Sequence, residues 1–163
     1  DYFRMETLRG FVHDEGAAML GGISGNAGLF GTANDLAKLW QMYIQQGFYG
    51  GVRFYPEETA KVFNTVQFPE NGNRRALGFD KPLLDNATQT AADAYPCKSA
   101  TPASFGHSGY TGTFVWADPV SEFLFIFLSN RVHPTRNNEK LYTLDIRGNM
   151  LQSVYEAIEK GCN

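Results

Sequence analysis

Two apolar runs on either side of a short turn most constrain the fold of this chain. Residues 113–117 lead into Asp118-Pro119, and the following run, 122–129, holds six consecutive apolar residues at 123–128. Two such runs across a turn predict an antiparallel hairpin. Because the second run is apolar on both faces, we expect its strand to lie inside a covered sheet. It is far shorter than the ~20 residues of a membrane span.

Helical patterns lie on both sides of this hairpin. Thr32 with Asp35 predicts a helix start, apolar residues recur at helical spacing over 36–44, and Gly47 predicts the end. A second short helix is expected to begin at Pro56, and a long C-terminal helix is expected over 138–160. Residues 75–79 suggest a strand, and residues 85–101 a long irregular loop. The prediction is an α/β (α+β) fold, a single domain over 1–163 with an antiparallel sheet packed under helices.

The first 31 residues are rich in glycine, which predicts tight turns. Apolar residues alternate with these glycines, which favours an ordered, packed loop over a flexible linker. The apolar residues are Met19, Leu20, Ile23, Leu29 and Phe30.

Charge and motif spacing exclude several classes of function. The net charge is −3 and no basic stripe is present, so nucleic acid is not expected as a partner. The three histidines, at 13, 107 and 133, lack metal-ligand spacing, and the glycine run around residue 22 lacks the Gly-Lys-Ser/Thr of a phosphate loop. We therefore expect neither a metal nor an organic cofactor. Cys97 and Cys162 are either one disulfide or two free thiols.

The segment 105–113 is the main candidate for chemistry. Gly106, Gly109 and Gly112 recur every three residues, and His107 and Ser108 alternate across the expected strand. Small residues, a titratable His and a hydroxyl beside an accessible strand edge suit the binding of an acyl group. The alternative is a glycine-rich approach to the hairpin with a surface His, and chemistry alone leaves both open.

Four segments together resemble the serine β-lactamase and penicillin-binding-protein superfamily, nearest its class C and esterase-like branch. His107-Ser108-Gly109 resembles the third motif of that superfamily, and residues 21–37 resemble its glycine-rich loop and following helix. Residues 12–15 and 130–134 resemble the flanking pieces. The resemblance implies a partial β-lactamase/transpeptidase-like fold.

The resemblance also implies roles for individual residues. The strand of His107 would form one wall of the site, with His107 in place of the family's lysine and the Tyr110 backbone N–H as an oxyanion donor. The remaining implied residues would contact substrate, and they are Ser108, Gly109, Asn26, Ala27, Asn130 and Arg131. For Arg131 a structural ion pair remains an equal alternative. For His13 a loop-stabilising role is favoured over a catalytic one.

The family's nucleophile is absent from this sequence. It belongs to a Ser-x-x-Lys motif, and no serine here has Lys three positions later. The family's second motif, Tyr-x-Asn or Ser-x-Asn, is absent as well. A local Ser104–His107 pair has no third orienting group and is a weak alternative. The chain opens at Asp1, and we expect it to be the C-terminal portion of a longer hydrolase, inactive without its N-terminal half.

The expected parent hydrolyses a β-lactam, a cell-wall peptide or a small ester through an acyl-enzyme. By family inference it works in the periplasm or elsewhere outside the cytoplasm. Two alternatives stay open. The chain could be a non-catalytic module that binds peptidoglycan or another ligand and kept only the cleft. It could also belong to an assembly in which another chain supplies the missing half, and exposed strand edges would then favour self-association.

Overall fold

The structure is a computed structural model that describes residues 3–161. The chain forms two compact units, residues 1–32 and residues 33–163. The first unit contains one helix, α1, Glu15–Met19. The second unit contains all other α-helices and strands of the described chain. They are α2 (Ala33–Ile44), β1 (Phe48–Tyr49), β2 (Val52–Arg53), α3 (Glu57–Asn64), β3 (Phe105–Ser108), β4 (Phe114–Asp118), β5 (Phe123–Phe127), α4 (Lys140–Thr143) and α5 (Ile146–Gly161).

The larger sheet is antiparallel, in the order β3-β4-β5. Its registers pair Phe105 with Ala117 and Phe114 with Phe127, so the predicted hairpin is confirmed as β4 and β5. Every residue of β4 is buried, whereas β5 is half-buried. Within the described chain, β5 therefore lies at the edge of the sheet, and the expectation that it lies inside was wrong in that respect.

Helices cover both faces of this sheet. Side chains alternate along β4, so Phe114 and Trp116 pack with Leu151 and Tyr155 of α5. The intervening Val115 and Ala117 face the other way and pack with Trp40 of α2 and with Phe105. The predicted α+β architecture with a C-terminal helix is confirmed.

The C-terminal helix is interrupted near its start. Asp145 adopts a positive φ of 42° between α4 and α5. Its carboxylate accepts a backbone hydrogen bond from Gly148 in the first turn of α5, and its pKa is nevertheless raised because burial outweighs that bond. An Asp that bonds to the first-turn N–H groups of a helix is a typical N-cap. The sequence pattern missed this break because the apolar spacing continues across it.

Two further expectations concern the segments between helices. Residues 75–79 are not a strand, and only Asp80 forms an isolated bridge, to Gly106. Residues 85–101 are irregular, as predicted, apart from one 3-10 turn at Asn86–Thr88. The second helix starts where predicted, with Pro56 as its N-cap.

The glycine-rich first unit buries little apolar surface. Val12 and Ala17 are buried. The five apolar side chains that were expected to pack are exposed instead, from 69% at Met19 to 98% at Leu29. The prediction of a packed loop was therefore wrong for these side chains.

We expect the thiol of Cys97 to react only after unfolding. Cys97 is 4% exposed, and burial raises its pKa to about 12. The thiolate is the reactive form, so a disulfide reagent at pH 8 finds almost none of it in the folded chain. The measurement is the rate of thiol reaction in a Cys162→Ser variant, in which Cys97 is the single remaining thiol. Cys162 lies outside the described residues. Rapid stoichiometric reaction of the folded variant would contradict this burial.

Candidate functional site

The candidate site is built on the free edge of β3. Gly106 uses both of its backbone groups on that edge, donating to Asp80 O (2.9 Å) and accepting from Asp80 N (2.8 Å). Backbone groups alternate in direction along an antiparallel strand, so those of Ser108 point to the same edge as those of Gly106. Gly109 N turns the other way and donates to Thr113 O (2.8 Å). Asp80 thus occupies the free edge of β3 at Gly106. Beyond this bridge the edge continues at Ser108.

His107 is exposed and is held at both ring nitrogens. Arg75 Nη2 lies 2.9 Å from His107 Nε2, and His107 Nδ1 lies 2.9 Å from the carbonyl oxygen of Ser108. A guanidinium only donates and a carbonyl only accepts. The neutral ring that satisfies both contacts therefore carries its proton on Nδ1 and accepts from Arg75 at Nε2.

Arg75 belongs to a charge cluster that centres on the buried carboxylate of Asp80. Asp80 accepts from Arg74, from Arg75 Nη1 (3.3 Å) and from Tyr95 Oη (2.6 Å). Burial first, and then the bond to Asp80, raises the pKa of Tyr95. Two guanidinium groups share one carboxylate, so the cluster has a surplus positive charge. Arg75 is 48% exposed, whereas Arg74 is 25% exposed and stacks on the Tyr95 ring, so the accessible cation is Arg75.

Arg131 holds the turn that follows the motif. Its Nε donates to Tyr110 O (2.8 Å), its guanidinium lies 4.3 Å from the centre of the Tyr110 ring, and its backbone N–H donates to Thr111 O (2.8 Å). Its Nη1 donates to Arg136 O (2.9 Å). Among the ion pairs of residues 3–161 none involves Arg131. The ion pair considered for Arg131 is thus not seen in the described chain, and its guanidinium bonds to carbonyl oxygens instead. A substrate contact for Arg131 stays a prediction. Asn130 is exposed beside it.

The three glycines of the motif are accounted for by internal packing. A Cβ on Gly106 would lie 2.0 Å from Trp116 Cε3, and one on Gly109 would lie 2.3 Å from Thr113 Oγ1. Gly112 has a φ of +116°, and its Cβ would lie 2.5 Å from Ser129 Oγ. Their spacing therefore indicates close contacts within the fold, whereas the sequence suggested the approach of a ligand.

Asn26 and Ala27 lie in the first unit, within a turn. Ser24 N donates to Ala27 O (3.0 Å), and Ser24 Oγ donates to Asn26 Oδ1 (2.6 Å). Asp14, the N-cap of α1, accepts from Ala17 N (2.7 Å). That bond first, and then a bond from Asn26, holds the pKa of Asp14 below its usual value. A substrate contact for Asn26 and Ala27 stays a prediction.

The structure thus brings His107, Ser108, Tyr110 and Arg131 together at one end of β3. Sequence reasoning missed Arg75 and Asp80. The sequence signal for these two residues was the pair Arg74-Arg75, with Asp80 five positions after Arg75 at the end of a short apolar stretch. Ser104 is fully buried and donates to Thr101 O (2.7 Å), so it is not a nucleophile paired with His107.

No helix within residues 3–161 is long and apolar enough to span a membrane. The same residues contain no cluster of three or more His, Cys, Asp or Glu side chains placed to hold a metal ion.

An antiparallel sheet between two helical layers, with a His-Ser-Gly strand at its edge, is consistent with a partial β-lactamase-like fold. The family model described as Beta-lactamase matches residues 4–149, and the chain belongs to that family.

Two bacterial relatives have the same name. The Escherichia coli K12 protein, "Putative D-alanyl-D-alanine carboxypeptidase", is 38% identical over 131 residues, 80% of this chain and 29% of the relative. The protein of that name from Salmonella paratyphi B is 37% identical over 139 residues, 85% of this chain and 31% of the relative. The chain therefore spans about three tenths of the length of the curated relatives it matches.

Proposed function

We propose that this chain forms one wall of a serine hydrolase site that cleaves an amide next to a terminal carboxylate, as in a cell-wall peptide. One observation carries the proposal, which is the half-exposed guanidinium of Arg75 beside His107 at the edge of β3. The names of the relatives, which refer to D-alanyl-D-alanine, support the same substrate class. The proposed place of action is outside the cytoplasm, where such peptides occur.

The edge of β3 suits an extended peptide. Backbone groups beyond the Asp80 bridge can pair with a peptide strand, which fixes its register without reading its side chains. Arg75 then offers a bidentate donor to the terminal carboxylate, a geometry that a guanidinium matches well. Ser108 adds a hydroxyl on the same strand.

The chemistry needs a nucleophile from outside this sequence, because no serine here has the family's lysine three positions later. In the proposed reaction its hydroxyl oxygen attacks the amide carbonyl, the C–N bond breaks, and the amine leaves with a proton. Water then hydrolyses the ester. The Tyr110 backbone N–H is proposed to stabilise the oxyanion, and such a donor contributes about 3 kcal/mol. His107 is proposed to orient the leaving group or transfer its proton.

The test uses the proposed longer protein, in which this sequence follows a Ser-x-x-Lys segment. Two substrates are compared, a peptide ending in D-Ala-D-Ala and the same peptide with a C-terminal amide. Arg75→Met should lower kcat/KM for the acid about 10- to 100-fold and for the amide less than about threefold, because a charged hydrogen bond contributes about 1.5–3 kcal/mol. Arg53→Met, an exposed arginine of β2, is the matched control and should leave both rates unchanged.

The outcomes separate the parts of this proposal. An equal loss for acid and amide would show that Arg75 does not bind the carboxylate. His107→Ala should reduce both rates. If the unaltered longer protein neither cleaves these substrates nor is labelled by a fluorescent penicillin, the hydrolase proposal is wrong and a non-catalytic binding module is the better description.

A further inference from the structure

A large cavity lies in the second unit, and neither His107, Arg75 nor Tyr110 lines it. Its volume is about 840 Å³, and it is bounded by α2, α3 and the two segments around residues 79 and 103. Small-molecule sites commonly have volumes of about 300–1,000 Å³ and mainly apolar walls. Five aromatic side chains line this one, namely Tyr43, Tyr55, Phe63, Phe79 and Phe105.

One wall of the cavity contains a buried cation. Lys81 is 5% exposed, and its Nζ donates to Asn64 Oδ1 (3.1 Å) and to Ala103 O (3.2 Å). An ammonium group has three N–H donors, so two neutral acceptors leave one donor over. The ion pairs of the described chain do not include Lys81. Burial of a charge without an opposite charge in contact is costly, which makes this position one that an anion would stabilise.

The charges around Lys81 limit what anion would fit. Burial lowers the pKa of Lys81 to about 8, and the field of Asp118 opposes that shift, so the group is still mostly a cation at pH 7. Lys61 also lines the cavity and is already paired with Glu57 (2.9 Å) and Glu58 (3.5 Å), which do not line it. Of the described residues that line the cavity, Lys81 is then the one cation without a carboxylate partner, and a single positive charge suits a monoanion better than a phosphate or any other dianion.

We infer that this cavity binds a small aromatic monocarboxylate, whose carboxylate accepts from Lys81 Nζ while its rings lie among the aromatic side chains. The site is separate from the proposed acyl-transfer site, and each can fail without the other. Aromatic side chains favour offset or edge-to-face contact with a ligand ring, which the mixture of five rings can supply.

The first test measures the binding of 2-naphthoate and of 2-naphthamide to this chain by calorimetry. The two probes have the same rings and differ in charge, so the naphthoate should bind at least about tenfold more tightly. Lys81→Met should abolish that preference, because it removes the charge and keeps an unbranched side chain only one heavy atom shorter. Lys61→Met, at the rim of the same cavity, should keep it. Equal affinity for the two probes, or no binding of either, overturns the inference, as does a preference that survives Lys81→Met.

A second variant keeps the test decisive if Lys81→Met does not fold. Thr59 lines the cavity from an exposed position on α3, so Thr59→Trp narrows the space and leaves Lys81 in place. Circular dichroism should show an intact fold, and naphthoate affinity should fall at least tenfold. Unchanged naphthoate affinity in the folded Thr59→Trp variant would overturn the inference.

Discussion

Replacing Asp118 by alanine should lower the free energy of unfolding by about 3–5 kcal/mol, a large part of the stability of a domain of this size. Asp118 ends β4 and is fully buried. Its carboxylate accepts from Tyr155 Oη (2.6 Å), Thr101 Oγ1 (2.9 Å) and Val120 N (2.9 Å). Alanine would leave the buried Tyr155 Oη and the part-buried Thr101 Oγ1 and Val120 N without this acceptor. Urea denaturation followed by circular dichroism measures the change.

Two variants separate the carboxylate from the rest of its surroundings. Tyr155→Phe removes one of these bonds and keeps the others, so we expect a smaller loss of about 1.5–3 kcal/mol. Asp93→Ala changes an exposed acid and should shift the free energy of unfolding by less than about 0.5 kcal/mol. If Asp118→Ala costs no more than Asp93→Ala, the network does not stabilise the fold.

Gly106→Ala should destabilise the chain by about 3 kcal/mol, although it adds a single methyl group. The added Cβ would lie 2.0 Å from Trp116 Cε3 and 2.4 Å from the carbonyl oxygen of Val115. The ring is fully buried and the carbonyl belongs to the central strand, so neither can move away cheaply. The measurement is again the free energy of unfolding.

The control for this substitution is Gly78→Ala. A Cβ on Gly78 would meet nothing closer than Phe63 Cδ1 at 3.7 Å, so we expect little change. Trp116→Leu combined with Gly106→Ala should cost less than the sum of the two single changes, because the smaller side chain makes room for the methyl group. Strict additivity would show that the contact with Trp116 is not the cause.

Local patterns predicted the elements whose signals lie within a few residues of one another. The hairpin of β4 and β5 follows from two apolar runs and an Asp-Pro turn, and α2 follows from helical spacing. The break at Asp145 was missed because apolar residues continue at helical spacing on both sides of it, so the pattern predicts one uninterrupted helix. The strand expected at 75–79 was wrong, because these residues do not pair with β3 and the bridge to that strand is made by the next residue, Asp80.

The candidate site shows the same limit. His107 and Ser108 were predicted as site residues from a contiguous motif, and their role stays a prediction. Arg75 lies 32 positions from His107 in the sequence and was not found, because only the folding of residues 75–80 against β3 brings the two side chains to 2.9 Å.

The sequence by itself determined the class of fold, the hairpin, the main helices and the family motif, since periodicity and short-range spacing carry those signals. Only the tertiary structure decided which cation lies beside His107, why position 106 has no room for a side chain and which turn Arg131 contacts. Each of these depends on contacts between segments far apart in the chain, and such contacts leave no periodic trace in the sequence.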